Sequence, residues 1–313
     1  MFRILRFSFA LGLIAFALWI VVPASVNYKY IEKLFFASLA IQPLVIIGLI
    51  LQSIRFGLLA GLSHTQIRRP FSAVLLCQGL NLVLPGRVAE VFKATYLRCY
   101  AGVPLSSGMA AVFLERGVDI LIVVLLGIVG ILMLSKGSNW FAFFGAGILM
   151  LFLISIPFIE NRLLLLTKLL PWVRLRGFFE NFLQHVADKV RGGTFYYALA
   201  LGVMAWLTSL ANIYLFVNIA GTKPVDFGGI VLLFVATTIG GGVPALPGGF
   251  GGYETAAVLA LKPYGYSFEE ALPLVIAMHL SQLLLPLLGA GLVLYKERIG
   301  ISVLIKQLRK VAD

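Results

Sequence analysis

Apolar residues run in blocks along this chain, and most charges fall in the gaps between blocks. Apolar runs cover 7–22, 34–53, 105–134, 140–159, 195–219 and 268–295. A bilayer core of about 30 Å takes roughly 20 helical residues, so each run predicts a membrane-crossing helix. Two shorter runs, 71–84 and 228–246, end instead at "LPG" (84–86) and "LPGG" (246–249). Proline there lacks a backbone donor and blocks continuation of the helix. Each short run therefore reads as the first arm of a broken helix pair.

The basic residues set the orientation. Arg3 and Arg6 precede the first run; Arg55, Arg68 and Arg69 follow the second; Arg162, Lys168, Arg174, Arg176, Lys189 and Arg191 fill 160–194; and Lys296, Arg298, Lys306, Arg309 and Lys310 occupy the tail, 296–313. The intervening gaps carry few. The positive-inside rule then places both termini in the cytoplasm and the chain in the cytoplasmic membrane. Six crossings close that topology only if the Pro-Gly pairs return to the side they came from. The first would start from the cytoplasm and return through 87–100; the second would start outside and return through 253–262. Two fully crossing broken pairs give the same parity. The expected fold is an all-α polytopic integral membrane protein with about six full spans and two re-entrant helical hairpins.

Composition agrees. Of 313 residues, 60% are hydrophobic and 12% charged, against about 45 to 50% apolar in soluble domains. No large soluble domain fits. The net charge of +12 follows topology instead of forming one patch, which argues against nucleic acid as a partner. The basic start and the run at 7–22 read as an uncleaved first helix in preference to a signal peptide. Segment 160–194 is basic and amphipathic, suited to an anionic headgroup layer or to a plain cytoplasmic linker. Cys77 and Cys99 lack metal-ligand spacing and read as buried packing residues.

Superposing Pro85 on Pro247 pairs "LVLPGRVAE" with "PALPGGFGGYE", and the following stretches 102–130 and 265–293 align without gaps. Arg116 then falls on His279 and Asp119 on Gln282. The halves 1–134 and 140–295 read as a repeat of inverted topology, the pattern of transporters whose site lies near the midplane.

The chemistry concentrates at the breaks and in the long helices after them. Glu115, Arg116 and Asp119 interrupt an apolar span, where each would cost roughly 2.5 to 3.5 kcal/mol facing lipid. They must face protein, water or one another, and Arg116 and Asp119 can pair at i,i+3. One reading is an ion pair that locks helices together. The other adds the first break, where Arg87, Glu90 and Ala94 share a helical face. Backbone N–H groups freed at Pro85 and Gly86 favour an anion beside Arg87, and the guanidinium fork suits phosphate. Asn81, with Gln78 and Gln282, would complete a polar lining or merely bond between helices, while Lys93 and Arg98 lie further down the returning arm, nearer the cytoplasmic headgroups.

At the second break, Pro247, Gly248 and Gly249 belong to a stretch too Gly-rich for a regular helix. Such backbone is tolerated at membrane depth only under protein or beside a watery cavity. Glu254, next to Tyr253, either caps the returning helix or holds a proton or cation. His279 and Gln282 either titrate and line a path or simply pack and bond between helices. No Gly-Lys-Ser/Thr follows the glycines, and catalytic sets, metal motifs and cofactor signatures are missing from the sequence. An enzyme is not expected.

"NLVLPGRVAEVFKATYLR" (81–98), "GVPLSSGMAAVFLERGVDIL" (102–121) and "VPALPGGFGGYETAAVLALKPYG" (243–265) together resemble the lysylphosphatidylglycerol synthase transmembrane-region family, which includes the flippase half of multiple peptide resistance factors. The resemblance implies a lipid translocase, with Arg87, Glu90, Glu115, Arg116, Asp119 and Glu254 on family motif positions. Family members that aminoacylate lipid carry a soluble catalytic domain after the spans, and none follows here, so synthase activity is not expected. The leading expectation is movement of an anionic or phosphate-linked lipid, of phospholipid or polyprenyl-phosphate type, between leaflets, with membrane lipids as partners and no cofactor. The alternatives are a secondary transporter of a small soluble anion, and a membrane subunit working with a lipid-synthesising or lipid-modifying enzyme.

Overall fold

The computed structural model describes residues 28–63, 66–82, 84, 88–134, 167, 172–242 and 247–297. The predicted spans 7–22 and 140–159, nearly all of the tail, and Pro85, Gly86 and Arg87 lie outside the described residues. Among those described, the regular structure is helical.

Two helices, α1 (Tyr28–Ala40) and α2 (Gln42–Leu59), meet at Ile41. Pro43 opens α2, where a missing N–H costs nothing because the first helical donors have no partner anyway. The N–H of Val45 still reaches the Ile41 carbonyl at 3.1 Å. The chain therefore runs on as one apolar segment, Tyr28–Leu59, which extends the expected 34–53 at both ends. Among the described residues it is one of three segments long and apolar enough to cross a membrane; the others are α7 (Thr194–Ala220) and α10 (Phe268–Lys296).

Helices α3 (Arg68–Asn81) and α4 (Ala89–Ala101) flank the first break and pack against each other. Helices α8 (Phe227–Gly242) and α9 (Gly252–Leu261) do the same at the second, with a single 3₁₀ turn at Pro247–Gly249 between them. The approach is closest where Gly240 meets Gly252, whose missing Cβ atoms admit backbone against backbone. Long helix α5 (Leu105–Leu134) follows the first pair. The second pair is followed by α10, which Ser267 caps by accepting the Glu270 N–H at 3.3 Å. Helix α6 (Val173–Arg191) is the described part of the basic amphipathic segment. It packs on α5 and touches the end of α2, where a His185 Nε2 contact to the Leu59 carbonyl measures 2.7 Å.

The packing is reciprocal. Helix α2 lies against α7; α3 rests on α10, and α8 rests on α5; the returning arms α4 and α9 pack on α5 and α10 respectively. One apolar core gathers around α2 to α5, with Phe56, Leu76, Tyr96 and Leu114 buried, and a second around α1 and α7 to α10, with Phe216, Phe234, Leu261 and Leu274. Large apolar side chains also face outward: Phe35, Phe36, Ile46, Ile120, Leu259 and Leu288. That much outward hydrocarbon suits lipid, not water.

Three expectations need correction. Cys77 is buried as expected, but Cys99 is exposed on the outer face of α4. Arg55 is no loop residue. It sits inside α2 with its side chain 2% exposed. Lys93 does not reach toward a headgroup layer. It turns inward, buried against α5, with its ammonium 4.0 Å from the Phe56 ring centroid. In each inward case a carboxylate supplies the reason.

Candidate functional site

The carboxylates are on α5. Glu115 and Asp119 are one helical turn apart and so share a face, about 15 to 21 Å along the helix from its start. Among the described residues, four helices supply partners. From α2, the Arg55 guanidinium donates Nη2 to Glu115 Oε1 at 2.9 Å and Nη1 to Asp119 Oδ1 at 2.7 Å. From α4, the Lys93 ammonium donates to Glu115 Oε2. From α7, the Trp206 indole N–H donates to Asp119 Oδ1 at 2.9 Å. Arg116, on α5 itself, reaches Asp119 Oδ2 at 2.8 Å and has its Nε 3.5 Å from Glu90 Oε1 of α4. Arg55, Lys93 and Arg116 thus face Glu90, Glu115 and Asp119, three charges of each sign.

Backbone approach makes room for this node. A Cβ on Gly202 of α7 would lie 2.8 Å from Arg55 Nη1 and 2.9 Å from Val118. Only glycine leaves α7 close enough for Trp206 to reach Asp119 while the guanidinium passes between. Arg55 is spent on the carboxylates and Lys93 is sealed, with side chains 2% and 5% exposed, whereas Arg116 keeps 35% of its side chain accessible. It borders a cavity of about 160 Å³ that Asn81, Glu90, Asp119, Gln78 and Trp206 also line. Asn81 Oδ1 and Glu90 Oε2 are buried there without a hydrogen-bond partner among the described residues. Buried polar atoms are rarely left so.

A second cavity of about 190 Å³ adjoins the first, sharing Gln52, Gln78 and Ser209 with it. The two glutamines stand between them, Gln78 Nε2 donating to Gln52 Oε1 at 2.8 Å. Beyond lies Gln282 of α10, and one turn from it His279. His279 Nδ1 meets Glu254 Oε1 at 2.7 Å, and its ring stacks on Tyr253 with centroids 3.9 Å apart. Glu254 Oε2 also accepts the Gly251 N–H at 2.6 Å. Of the alternatives for Glu254 the cap is seen, and the same carboxylate that caps α9 also meets the histidine. Gly248 and Gly249 of the turn have φ of 74° and 77°, the left-handed region that favours glycine.

The structure brings Asn81, Glu90, Glu115, Arg116 and Asp119 together, and assembles Tyr253, Glu254 and His279 into a separate buried group. Pro85, Gly86 and Arg87 are outside the described residues. Sequence reasoning missed Arg55, Lys93, Trp206 and Gln52. Two of these left a signal. Arg55 is followed by "FGLLAGL", too apolar for a loop, and Lys93 follows Glu90 at i,i+3, which puts both on one face.

The architecture is that of a helical membrane protein with an ion-paired node and paired polar cavities in its interior. The chain belongs to the lysylphosphatidylglycerol synthase transmembrane-region family, whose model, described as "Lysylphosphatidylglycerol synthase TM region", matches residues 3–290. No curated protein and no solved structure matches it.

Proposed function

We propose that the protein is a flippase that moves an anionic or phosphate-linked lipid across the cytoplasmic membrane, itself catalysing no covalent chemistry. The observation that carries the reading is the accessible side of Arg116 in a polar cavity lined from α2, α3, α4, α5 and α7. A lipid phosphate entering that cavity takes the guanidinium from Asp119. Asp119 is not stranded by the exchange, because Arg55 and Trp206 still donate to its Oδ1. The node therefore lends one cation while keeping its own carboxylates bonded, and avoids the large penalty of a buried unpaired charge. Acyl chains remain in lipid as the head moves through the polar interior.

Membership of the family supports the lipid as cargo. The reciprocal contacts, α3 on α10 and α8 on α5, support two halves of inverted topology with re-entrant Pro-Gly hairpins and both termini in the cytoplasm. In that arrangement each half completes the other's cleft. The buried Glu254–His279 pair is the site where a proton couples to any uphill movement.

Headgroup translocation in proteoliposomes tests the proposal, using fluorescent phosphatidylglycerol and reductant quenching of the outer leaflet. Arg116→Gln is expected to slow translocation by about tenfold or more, the scale of one lost charge-assisted phosphate contact, while remaining monodisperse in detergent. Wild-type rates in a well-folded Arg116→Gln protein would remove Arg116 from the path.

A further inference from the structure

The second cavity differs in kind from the first. Its polar lining consists of the side-chain amides of Gln52, Gln78, Asn212 and Gln282 and the hydroxyls of Thr208 and Ser209, with no charged side chain among the described residues that line it. Thr208 and Ser209 both donate their hydroxyl hydrogens to the Ala205 carbonyl, at 2.7 and 3.1 Å. Their oxygens are left as acceptors. Asn212, 6% exposed, holds its Oδ1 buried without a hydrogen-bond partner among the described residues. The Gln52–Gln78 bond uses one amide hydrogen and one amide oxygen, leaving the Gln52 nitrogen and the Gln78 oxygen for other partners.

An occupant must therefore both donate and accept hydrogen bonds without carrying charge. An ammonium would find no carboxylate among the described lining residues to neutralise it. Hydrocarbon would seal Asn212 Oδ1 away unsatisfied. Hydroxyl groups match, because each can donate to Asn212 Oδ1 or Thr208 Oγ1 and accept from an amide nitrogen. The volume, about 190 Å³, is several times that of a water molecule.

We infer that this cavity is a subsite for a neutral polyhydroxyl group attached to the phosphate, so that the cargo is a lipid whose phosphate carries a glycosyl or polyol head. The inference rests on the lipid-translocase reading and narrows it. The phosphate engages Arg116 in the first cavity and the hydroxylated group passes the Gln52–Gln78 pair into the second. Two sources share that chemistry, a glycosylated polyprenyl phosphate and a polyol-bearing phospholipid.

Lipid titrations of the purified full-length chain by native mass spectrometry separate the cases. The probes are polyprenyl phosphohexose against polyprenyl phosphate of equal chain length, and phosphatidylinositol against phosphatidic acid of equal acyl chains. The hydroxylated member of at least one pair should bind about tenfold more tightly, and the pair that shows this identifies the source. Thr208→Val, which keeps the side-chain shape, and Asn212→Leu should each bring that ratio close to one. A wild-type ratio near one in both pairs, or a ratio that survives both variants, overturns the subsite. If none of the four lipids binds, it is the translocase reading that fails.

Discussion

Replacing Arg55 by methionine removes a buried side chain that donates hydrogen bonds to both α5 carboxylates. Two charge-assisted bonds are lost, at 2.7 and 2.9 Å, from a site whose partners are 1% and 9% exposed. Among the described residues, Glu90, Glu115 and Asp119 would then face only Lys93 and Arg116, leaving one buried negative charge uncompensated. Breaking a buried pair on one side costs about 3 to 5 kcal/mol. Most of that is the stranded charge, so Asp119→Asn placed on top of Arg55→Met should recover part of the loss by restoring the balance. Equilibrium unfolding in mixed micelles, followed by far-ultraviolet helicity, measures both. A single variant within about 1 kcal/mol of wild type, or a double variant less stable than the single, would refute the claim that charge balance holds α2 on α5. Arg116, which keeps an open side, should show the opposite division, with a smaller stability loss and a larger loss of lipid translocation.

Gly202→Ala should destabilise the chain by about 1 to 3 kcal/mol, the usual cost of overpacking, because its methyl would lie 2.8 Å from Arg55 Nη1; the same unfolding assay reads it. Maleimide labelling without denaturant should modify Cys99 and spare Cys77, since only the former is exposed. Burial at the α6–α2 contact holds the His185 pKa below its ordinary 6.5, with Lys189 adding to the effect. An unfolded chain then binds the proton more readily than the folded one, so the contribution of this contact is complete above about pH 6.5 and declines as pH falls through the folded value. Hydrogen exchange across 173–191 should accelerate in that acid window, and His185→Phe should flatten the dependence.

Most of the helical frame was legible because apolar blocks and Pro-Gly punctuation are local signals. The runs 71–84 and 228–246 correspond to α3 and α8, and the expected returns, 87–100 and 253–262, to α4 and α9. The i,i+3 pairing of Arg116 with Asp119 is local too, and it forms. What escaped was the identity of partners from distant helices. Counting Arg55 among the cytoplasmic cations treated its charge as a topological marker, whereas its environment is fixed by Glu115 and Asp119, some 60 residues away. Lys93 was misplaced for the same reason. Its helical face points at Glu115, but only the packing of α4 on α5 reveals it. Trp206 sits in a run of apolar and small residues, and nothing local marks its indole as a donor. The amide-lined cavity was legible only in part: Gln78 and Gln282 stand out as polar residues in apolar runs, but that Gln52 and Asn212 join them from two further helices shows only in the packing.

The resting of α3 on α10 has a bearing on biosynthesis. Leu75 and Gly79 meet Gly289 and Ala290, so the first broken pair leaves the ribosome about 200 residues before its partner helix exists. At about 5 to 20 residues per second, that interval is on the order of 10 to 40 s. During it, Leu75, Gly79 and the rest of the α3 face that α10 will cover stand in the membrane without their final partner. The insertion machinery, or a loosely docked earlier helix such as α2, must shelter them until the last helix closes the molecule. Truncations that stop before residue 268 should accordingly be cleared from the membrane as unfinished, however well their own helices form.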